Sequence, residues 1–130
     1  MRSAFLAVAL LVSGNAAACG YCVEDKIAAT YDHAVITRAL AAGRHVAFFH
    51  VDGAPVERAV LQQAATVRGI ENGSVRISPD ALTVALAFDP RLVSLVELNT
   101  RLDRKLAKHK ASLLPMLIME RPADLKLVKR

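Results

Sequence analysis

Cys19 and Cys22 are the only two cysteines of this 130-residue chain, and two residues separate them. This spacing lets both sulfurs reach one soft metal ion, and two thiolates suffice for nearly linear Cu(I). Zinc would need further ligands, because its structural sites are four-coordinate. The sequence therefore predicts a metal site at Cys19 and Cys22, with Cu(I) favoured. A disulfide with redox chemistry and a pair of inert thiols remain the alternatives.

The segment in front of the cysteines is typical of a secretory signal peptide. Arg2 is followed by an apolar run, by Ser13-Gly14-Asn15, and by the small residues Ala16-Ala17-Ala18. We expect cleavage after Ala18 and a mature protein in a bacterial periplasm or secreted from the cell. Lipidation of Cys19 is less favoured, since lipoprotein signals usually carry Leu where this chain has Ala16. We expect no transmembrane segment after processing, because a span needs about 20 apolar residues.

The charge and the motifs argue against several classes of function. The formal net charge of +5 would fall to +4 with the loss of Arg2, and this modest excess in an exported protein does not predict nucleic-acid binding. No serine nucleophile motif or glycine-rich phosphate loop is present, so we do not expect an enzyme. A run of basic residues is interpreted as a solvated helix face, with a docking patch for an acidic partner as the alternative: Arg101, Arg104, Lys105, Lys108 and Lys110.

The order of elements after the cysteines predicts an α+β fold. A helix over 23–42 is expected to bury a stripe that includes Val23, Ile27 and Tyr31. Ser94 and Glu97 have capping-box spacing at the start of another helix. The remaining pattern predicts strands and one more helix over the following ranges: strands 45–51, 74–77, 82–88 and 113–119, and a helix from Pro55 to the residue before Gly69.

These elements make a ferredoxin-like βαββαβ sandwich with an extra N-terminal helix. The predicted divisions are a signal peptide at 1–18, the Cys-x-x-Cys segment with its helix at 19–44, the ferredoxin-like domain at 45–120 and a flexible tail at 121–130. The first and last strands are apolar on both sides, so the second face of the sheet must be covered.

The N-terminal helix is the nearest candidate for covering that face, because Ala85 and Ala87 would admit it closely. A homodimer is the competing explanation. Met116 and Met119 are three residues apart on a strand, so we expect them on opposite sides, where both would fill core space.

Three segments follow a known pattern: Phe49-His50-Val51-Asp52-Gly53 before a helix, Gly69-Ile70-Glu71-Asn72-Gly73-Ser74-Val75, and the stretch from Thr83 to Pro90. Through them, residues 45–119 resemble the heavy-metal-associated domain of copper chaperones and metal-pumping ATPases. The resemblance implies the ferredoxin-like fold. Those domains carry Met and a Cys-x-x-Cys pair in the loop after the first strand. Ala54, Val56 and Ala59 occupy the corresponding positions here, so the family's metal loop is not transferred.

We therefore expect a small non-catalytic exported protein that binds or transfers a soft metal ion, with a metal-handling protein as partner. One alternative is a periplasmic thiol–disulfide protein, since Cys19-Gly20-Tyr21-Cys22 also occurs as the active-site tetrapeptide of some disulfide isomerases. A thioredoxin-like site follows a buried strand, and no strand precedes Cys19. The other alternative is an interaction module that binds no metal.

Overall fold

A computed structural model describes residues 23–120, so the predicted signal peptide, both cysteines and the predicted tail lie outside the described residues. The described part is α+β, with a four-stranded antiparallel sheet and several helices. The helices are α1 (Val23–Ala28), α2 (His33–Ala41), α3 (Arg58–Ala64) and α4 (Leu95–Leu106), and the strands are β1 (His45–Gly53), β2 (Arg76–Ile77), β3 (Thr83–Phe88) and β4 (Ala111–Met119). The strand order β2-β3-β1-β4 is compatible with a ferredoxin-like fold.

The first face of the sheet packs against α3 and α4. Leu98, Leu102 and Leu106 recur every four residues along α4 and are each at most 1% exposed, so one helical stripe enters the core. They pack with Phe49 of β1 and with other apolar side chains of β1 and β3. Ser94 begins α4 as predicted, because its Oγ accepts a hydrogen bond from the Glu97 N–H at 3.1 Å.

The opposite face, here called the second face, is covered by the N-terminal helices. Val46 and Phe48 of β1 and Ala85 and Ala87 of β3 form a second apolar cluster with buried residues of α2. Ile27 of α1 packs against this cluster. The prediction that the N-terminal helical segment covers this face next to the two alanines is confirmed.

The prediction of one continuous helix over 23–42 is wrong. The segment is broken between α1 and α2, and Asp32 serves as the N-cap of α2, with its carboxylate accepting the Val35 N–H at 3.2 Å. An Asp side chain competes with the helix for backbone N–H groups, so it favours a new start over continuation. The break also moves Val23 and Tyr31 off the predicted stripe, and they are 49% and 48% exposed.

Strand β2 is shorter than the predicted 74–77 because hydrogen bonds of the Ser74 side chain replace part of its backbone pairing with β3. The buried Ser74 hydroxyl donates to Glu71 O at 2.7 Å and accepts the Ala87 N–H at 3.0 Å. Backbone pairing with β3 is then limited to Arg76 and Ile77. Helix α3 is also shorter than predicted, at Arg58–Ala64.

Strand β4 lies at the edge of the sheet and contains an irregularity. Its register against β1 shifts between Phe48 and Phe49, which pair with Leu117 and Pro115 and leave Met116 as the extra residue. Proline in a strand is typical of edges and bulges. The extra residue changes the alternation, so Met116 and Met119 both pack against the second-face cluster. The prediction that they lie on opposite sides is therefore wrong.

The outer edge of β4 is partly protected by α4. Asp103 accepts the Leu113 N–H at 2.8 Å, and the Asn99 side chain donates to Leu113 O at 3.0 Å. Both polar groups of one edge residue are therefore satisfied by side chains, which disfavours pairing with another strand at this point. Further along β4, Leu114 and Leu117 are 47% and 36% exposed on the second face. The expectation that the last strand is buried on both sides is therefore wrong for β4.

Gly53 lies where β1 ends and the chain turns towards α3. Its φ is +97°, and a Cβ at this position would lie 2.5 Å from the backbone oxygen of Lys110. That same oxygen accepts the Ala54 N–H at 3.0 Å. A side chain here would therefore push the end of β1 away from the start of β4.

We predict that Gly53→Ala lowers the free energy of unfolding by about 2 kcal/mol or more, through both the positive φ and the backbone overlap. Gly73→Ala is the matched control, because φ is +81° there but the added Cβ meets nothing within 4 Å. Its expected cost is about 1 kcal/mol, from the backbone conformation alone. Urea denaturation of the parent and both variants measures the difference, and equal losses would contradict the role of the Lys110 contact.

Candidate functional site

The predicted metal ligands Cys19 and Cys22 lie outside the described residues. Cys22 is joined to Val23, which is the first residue of α1. The described part of the chain that follows the thiol pair directly is therefore α1, which is followed by α2.

Polar contacts at the junction of α1 and α2 fix these helices to the sheet. Asp32 caps α2 and also accepts a hydrogen bond from Arg76 Nε of β2 at 2.9 Å. The buried Thr30 hydroxyl donates to Ile27 O at 3.4 Å, at the end of α1. Asp32 is half-buried by these contacts, while the neighbouring His33 is exposed.

The hydrogen bonds to Asp32 change its acidity. The Val35 N–H and then the Arg76 guanidinium hold the pKa of the Asp32 carboxyl below its usual value of 3.8. The folded protein therefore favours the charged form of this carboxyl. When the pH falls through the folded-state pKa, the Asp32 carboxyl is protonated and its contacts with α2 and β2 weaken.

A second set of charges joins α2 to the loop before β2. Glu71 accepts hydrogen bonds from Arg38 Nε and Nη2, each at 3.2 Å, through one oxygen. Its other oxygen lies 3.7 Å from Arg44 Nε, within ion-pair range but without a hydrogen bond from any described residue. Two guanidinium groups thus converge on one carboxylate beside the second face, and fix the other end of α2.

The second face carries two soft sulfur atoms. Met116 and Met119 are half-buried and pack against the same apolar cluster as Ile27 of α1. Thioether sulfur is a ligand type that suits Cu(I). Sequence reasoning missed that they share a face, although Pro115 within the predicted strand was a signal for a bulge.

One of the two positions that correspond to the cysteines of heavy-metal-associated domains is buried here. Val56, at one of the two cysteine positions, is 7% exposed and belongs to the first-face core. Ala59, at the other, is exposed on α3. Arg58 between them donates to Ile77 O and Ser78 O at 3.1 and 3.3 Å, which fixes the start of α3 to the end of β2.

The histidines are spread over separate parts of the fold. His45 places its ring edge-on against Phe88, with centroids 5.6 Å apart, while His50 pairs with Thr83 and Leu114 in the sheet. The Nδ1 atom of His50 is buried and receives no hydrogen bond from residues 23–120. Across that same range, no three His, Cys, Asp or Glu side chains come together as a metal-binding group.

Ser78 and Asp80 lie close together and serve the turn before β3. The Ser78 hydroxyl donates to Asp80 Oδ1 at 2.6 Å and accepts the Thr83 N–H at 3.0 Å. The Leu82 N–H also reaches Asp80 Oδ1 at 3.1 Å. The Ser78 hydroxyl, followed by the Leu82 N–H, lowers the pKa of Asp80 from 3.8. The hydroxyl is engaged in closing the turn.

The predicted basic helix face is divided between different environments. Arg101 forms an ion pair with Glu97, and Lys110 ends a short 3₁₀ helix (Ala107–His109) with φ of +61°. Arg104, Lys105, Lys108 and His109 instead line a groove of about 570 Å³ between α3 and the end of α4. The sequence identified the cations but did not reveal the groove, which depends on how α3 packs against α4.

Comparison of the chain with protein-family models, curated proteins and solved structures gives no match. The resemblance to heavy-metal-associated domains therefore stays a prediction. Among the described residues, no helix is both long enough and apolar enough to span a membrane.

We predict that the Asp32 contacts make stability fall with acidity. With a lowered folded-state pKa, this contribution is fully present above the unfolded value of 3.8 and is lost as the pH falls through the folded value. Asp32→Asn should therefore be less stable than the parent at pH 7, and the difference should shrink in acid. Urea denaturation at a series of pH values from about 2.5 to 7 measures this.

Arg76→Gln is the matched variant for that experiment, because it removes one partner of Asp32 and leaves the Val35 N–H bond in place; it also removes the Arg76 hydrogen bonds to Gly73 O and Val75 O. It should therefore also be less stable than the parent at pH 7, and it should keep more of the parent's acid dependence than Asp32→Asn does. A constant difference between Asp32→Asn and the parent at every pH would contradict the prediction.

Proposed function

We propose that the chain is an exported, non-catalytic protein that binds or transfers a soft metal ion through Cys19 and Cys22, with Cu(I) as the favoured ion. The single observation that carries this proposal is the pair of thiols at Cys-x-x-Cys spacing directly after a signal-like segment. Two thiolates satisfy the nearly linear coordination of Cu(I) without further ligands. A bacterial periplasm is the compartment that we favour.

The contacts of the N-terminal helices support a fixed attachment for such a site. Ile27 packs on the second-face cluster, and the Asp32–Arg76 and Glu71–Arg38 contacts hold α2 at both ends. A metal-binding segment joined directly to α1 would therefore be tethered to the sheet.

The chemistry of the second face also favours a soft ion over a hard one. Met116 and Met119 place two thioethers on the face that α1 and α2 cover. They are not required for two-coordinate Cu(I). They offer soft ligands on the same side of the sheet as the tether, and the test below measures their contribution separately.

The fold that we infer for this function is the ferredoxin-like βαββαβ sandwich with additional N-terminal helices. The strand order and the uniformly antiparallel pairing support it. A metal-handling protein or a second copy of the chain would be the partner. The exposed apolar side chains of β4, Leu114 and Leu117, offer a surface on which such a partner could dock.

We predict that the full chain, expressed with its own processing, takes up one Cu(I) under reducing conditions. Cys22→Ser and Cys19→Ser should each lose the stoichiometric ion, because one thiolate cannot supply both ligands. Native mass spectrometry measures the bound copper, and the mass of the apoprotein reports where cleavage occurs and whether a lipid is attached. Met116→Leu/Met119→Leu is the control that keeps core volume and should retain the ion.

The alternatives give different results in the same preparation. A thiol–disulfide protein would catalyse insulin reduction with a dependence on both cysteines and would show no selective copper uptake. An interaction module would show neither activity. If Cys22→Ser binds Cu(I) with the parent's stoichiometry and affinity, the proposed site is wrong.

A further inference from the structure

The groove between α3 and α4, here called the basic groove, lies on the first-face side of the molecule. One wall is formed by side chains of α3 and the residues just after it, and the other by the end of α4 and the 3₁₀ helix. Its volume of about 570 Å³ is within the range of small-molecule sites. The lining residues that matter for a ligand are Val60 and Ala64 on one wall and Arg104, Lys105 and Lys108 on the other.

The charge of the basic groove is uncompensated among the described residues. None of Arg104, Lys105 and Lys108 takes part in an ion pair within residues 23–120, and no carboxylate lines the groove there. The nearby Asp103 is turned away, since it accepts the Leu113 N–H at the edge of β4.

The helix dipole offers a purely structural reason for cations at the end of α4. It places about half a negative charge there, and cations near it stabilise the helix. That half charge is smaller than the three formal positive charges that face the groove, so the net field inside remains positive. The groove therefore still attracts anions when the charge of the helix dipole is taken into account.

Lys105 is held in position across the groove. Its Nζ donates to Thr66 Oγ1 at 3.2 Å, and the Thr66 hydroxyl in turn donates to Gln63 O at 2.8 Å. An ammonium group has three N–H donors, so two remain for a ligand. Thr66 thus orients Lys105, and less side-chain freedom is lost when an anion binds.

We propose that the basic groove binds the phosphate group of a small phosphate ester or of a phospholipid headgroup. Lysine ammonium groups are common phosphate ligands, and the Arg104 guanidinium can bind two phosphate oxygens at once. The apolar side chains of Val60 and Ala64 provide a surface for the carbon part of the same ligand. The basic groove lies on the opposite side of the sheet from α1 and α2, and its lining residues do not include Cys19 or Cys22, so its test does not depend on the proposed metal site.

The test uses the full chain labelled with ¹⁵N and titrated with inorganic pyrophosphate at low ionic strength. We expect amide shifts confined to the end of α3 and the end of α4. Lys105→Gln/Lys108→Gln should weaken binding about tenfold or more, since two charge-assisted contacts are removed. Lys26→Gln/Arg68→Gln is the matched control, because it removes the same net charge from positions that do not line the groove, and it should weaken binding less than about threefold.

Thr66→Val provides a second variant that leaves every charge in place. It should weaken pyrophosphate binding by about threefold, because Lys105 loses its positioning contact. Unfolding midpoints of all variants check that the fold is retained. Equal weakening by the two double variants, shifts spread over the whole surface, or no shift at all would each overturn the proposal.

Vesicles distinguish the two sources of phosphate. Binding to phosphatidylglycerol vesicles but not to phosphatidylcholine vesicles, with the same dependence on Lys105 and Lys108, would identify a lipid headgroup. Pyrophosphate binding without vesicle binding would identify a soluble phosphate ester. Either result supports the site, because both require the same lysines.

Discussion

Strand β1 needs apolar cover on both of its faces, and the arrangement of every helix follows from that need. Val46, Ala47, Phe48 and Phe49 are consecutive and at most 2% exposed. Burying a phenylalanine side chain contributes about 1.5–3 kcal/mol, whereas an exposed ion pair contributes about 0–1 kcal/mol. The layers are therefore set by the central strand: α3 and α4 cover the side of Phe49, and α1 and α2 cover the side of Phe48. The contacts of Asp32 and Glu71 fix where the N-terminal layer lies, but they are too weak to be the reason that it forms.

This double cover also separates the basic groove from the helices that follow Cys22. The helix that directly follows Cys22 belongs to the second-face layer, and the basic groove is built by the first-face layer. The sheet lies between them, and its core is close-packed on both sides. The basic groove and the N-terminal helices therefore use different side chains. A displacement passed from one to the other would have to go through β1, whose buried phenylalanines leave little room to move.

The parts of the fold that were predictable from sequence depend on local signals. Ser94 caps α4 as its spacing with Glu97 indicates. The alternation of large and small residues predicts the bounds of β3 to within one residue. The errors arise where a side chain decides between two backbone choices. Asp32 starts a new helix instead of continuing one. The register of β4 shifts next to Pro115 and leaves Met116 as an extra residue, so Met116 lies on the same face as Met119. The groove could not be predicted at all, because it depends on the distance between two helices that are remote in sequence. The metal site at Cys19 and Cys22 is a prediction from spacing alone, and both cysteines lie outside the described residues.

The packing around Val56 argues against a soft-metal site in the loop after β1. The predicted resemblance is to heavy-metal-associated domains, which carry their thiols in that loop. Here Val56 is part of the first-face core, and Gly53 lies against the backbone of Lys110. Placing a thiolate at position 56 would replace a buried apolar side chain with a charge, at a cost of several kcal/mol unless a metal neutralised it. A thiolate there therefore conflicts with the first-face core, whereas the proposed pair at Cys19 and Cys22 replaces no residue of that core.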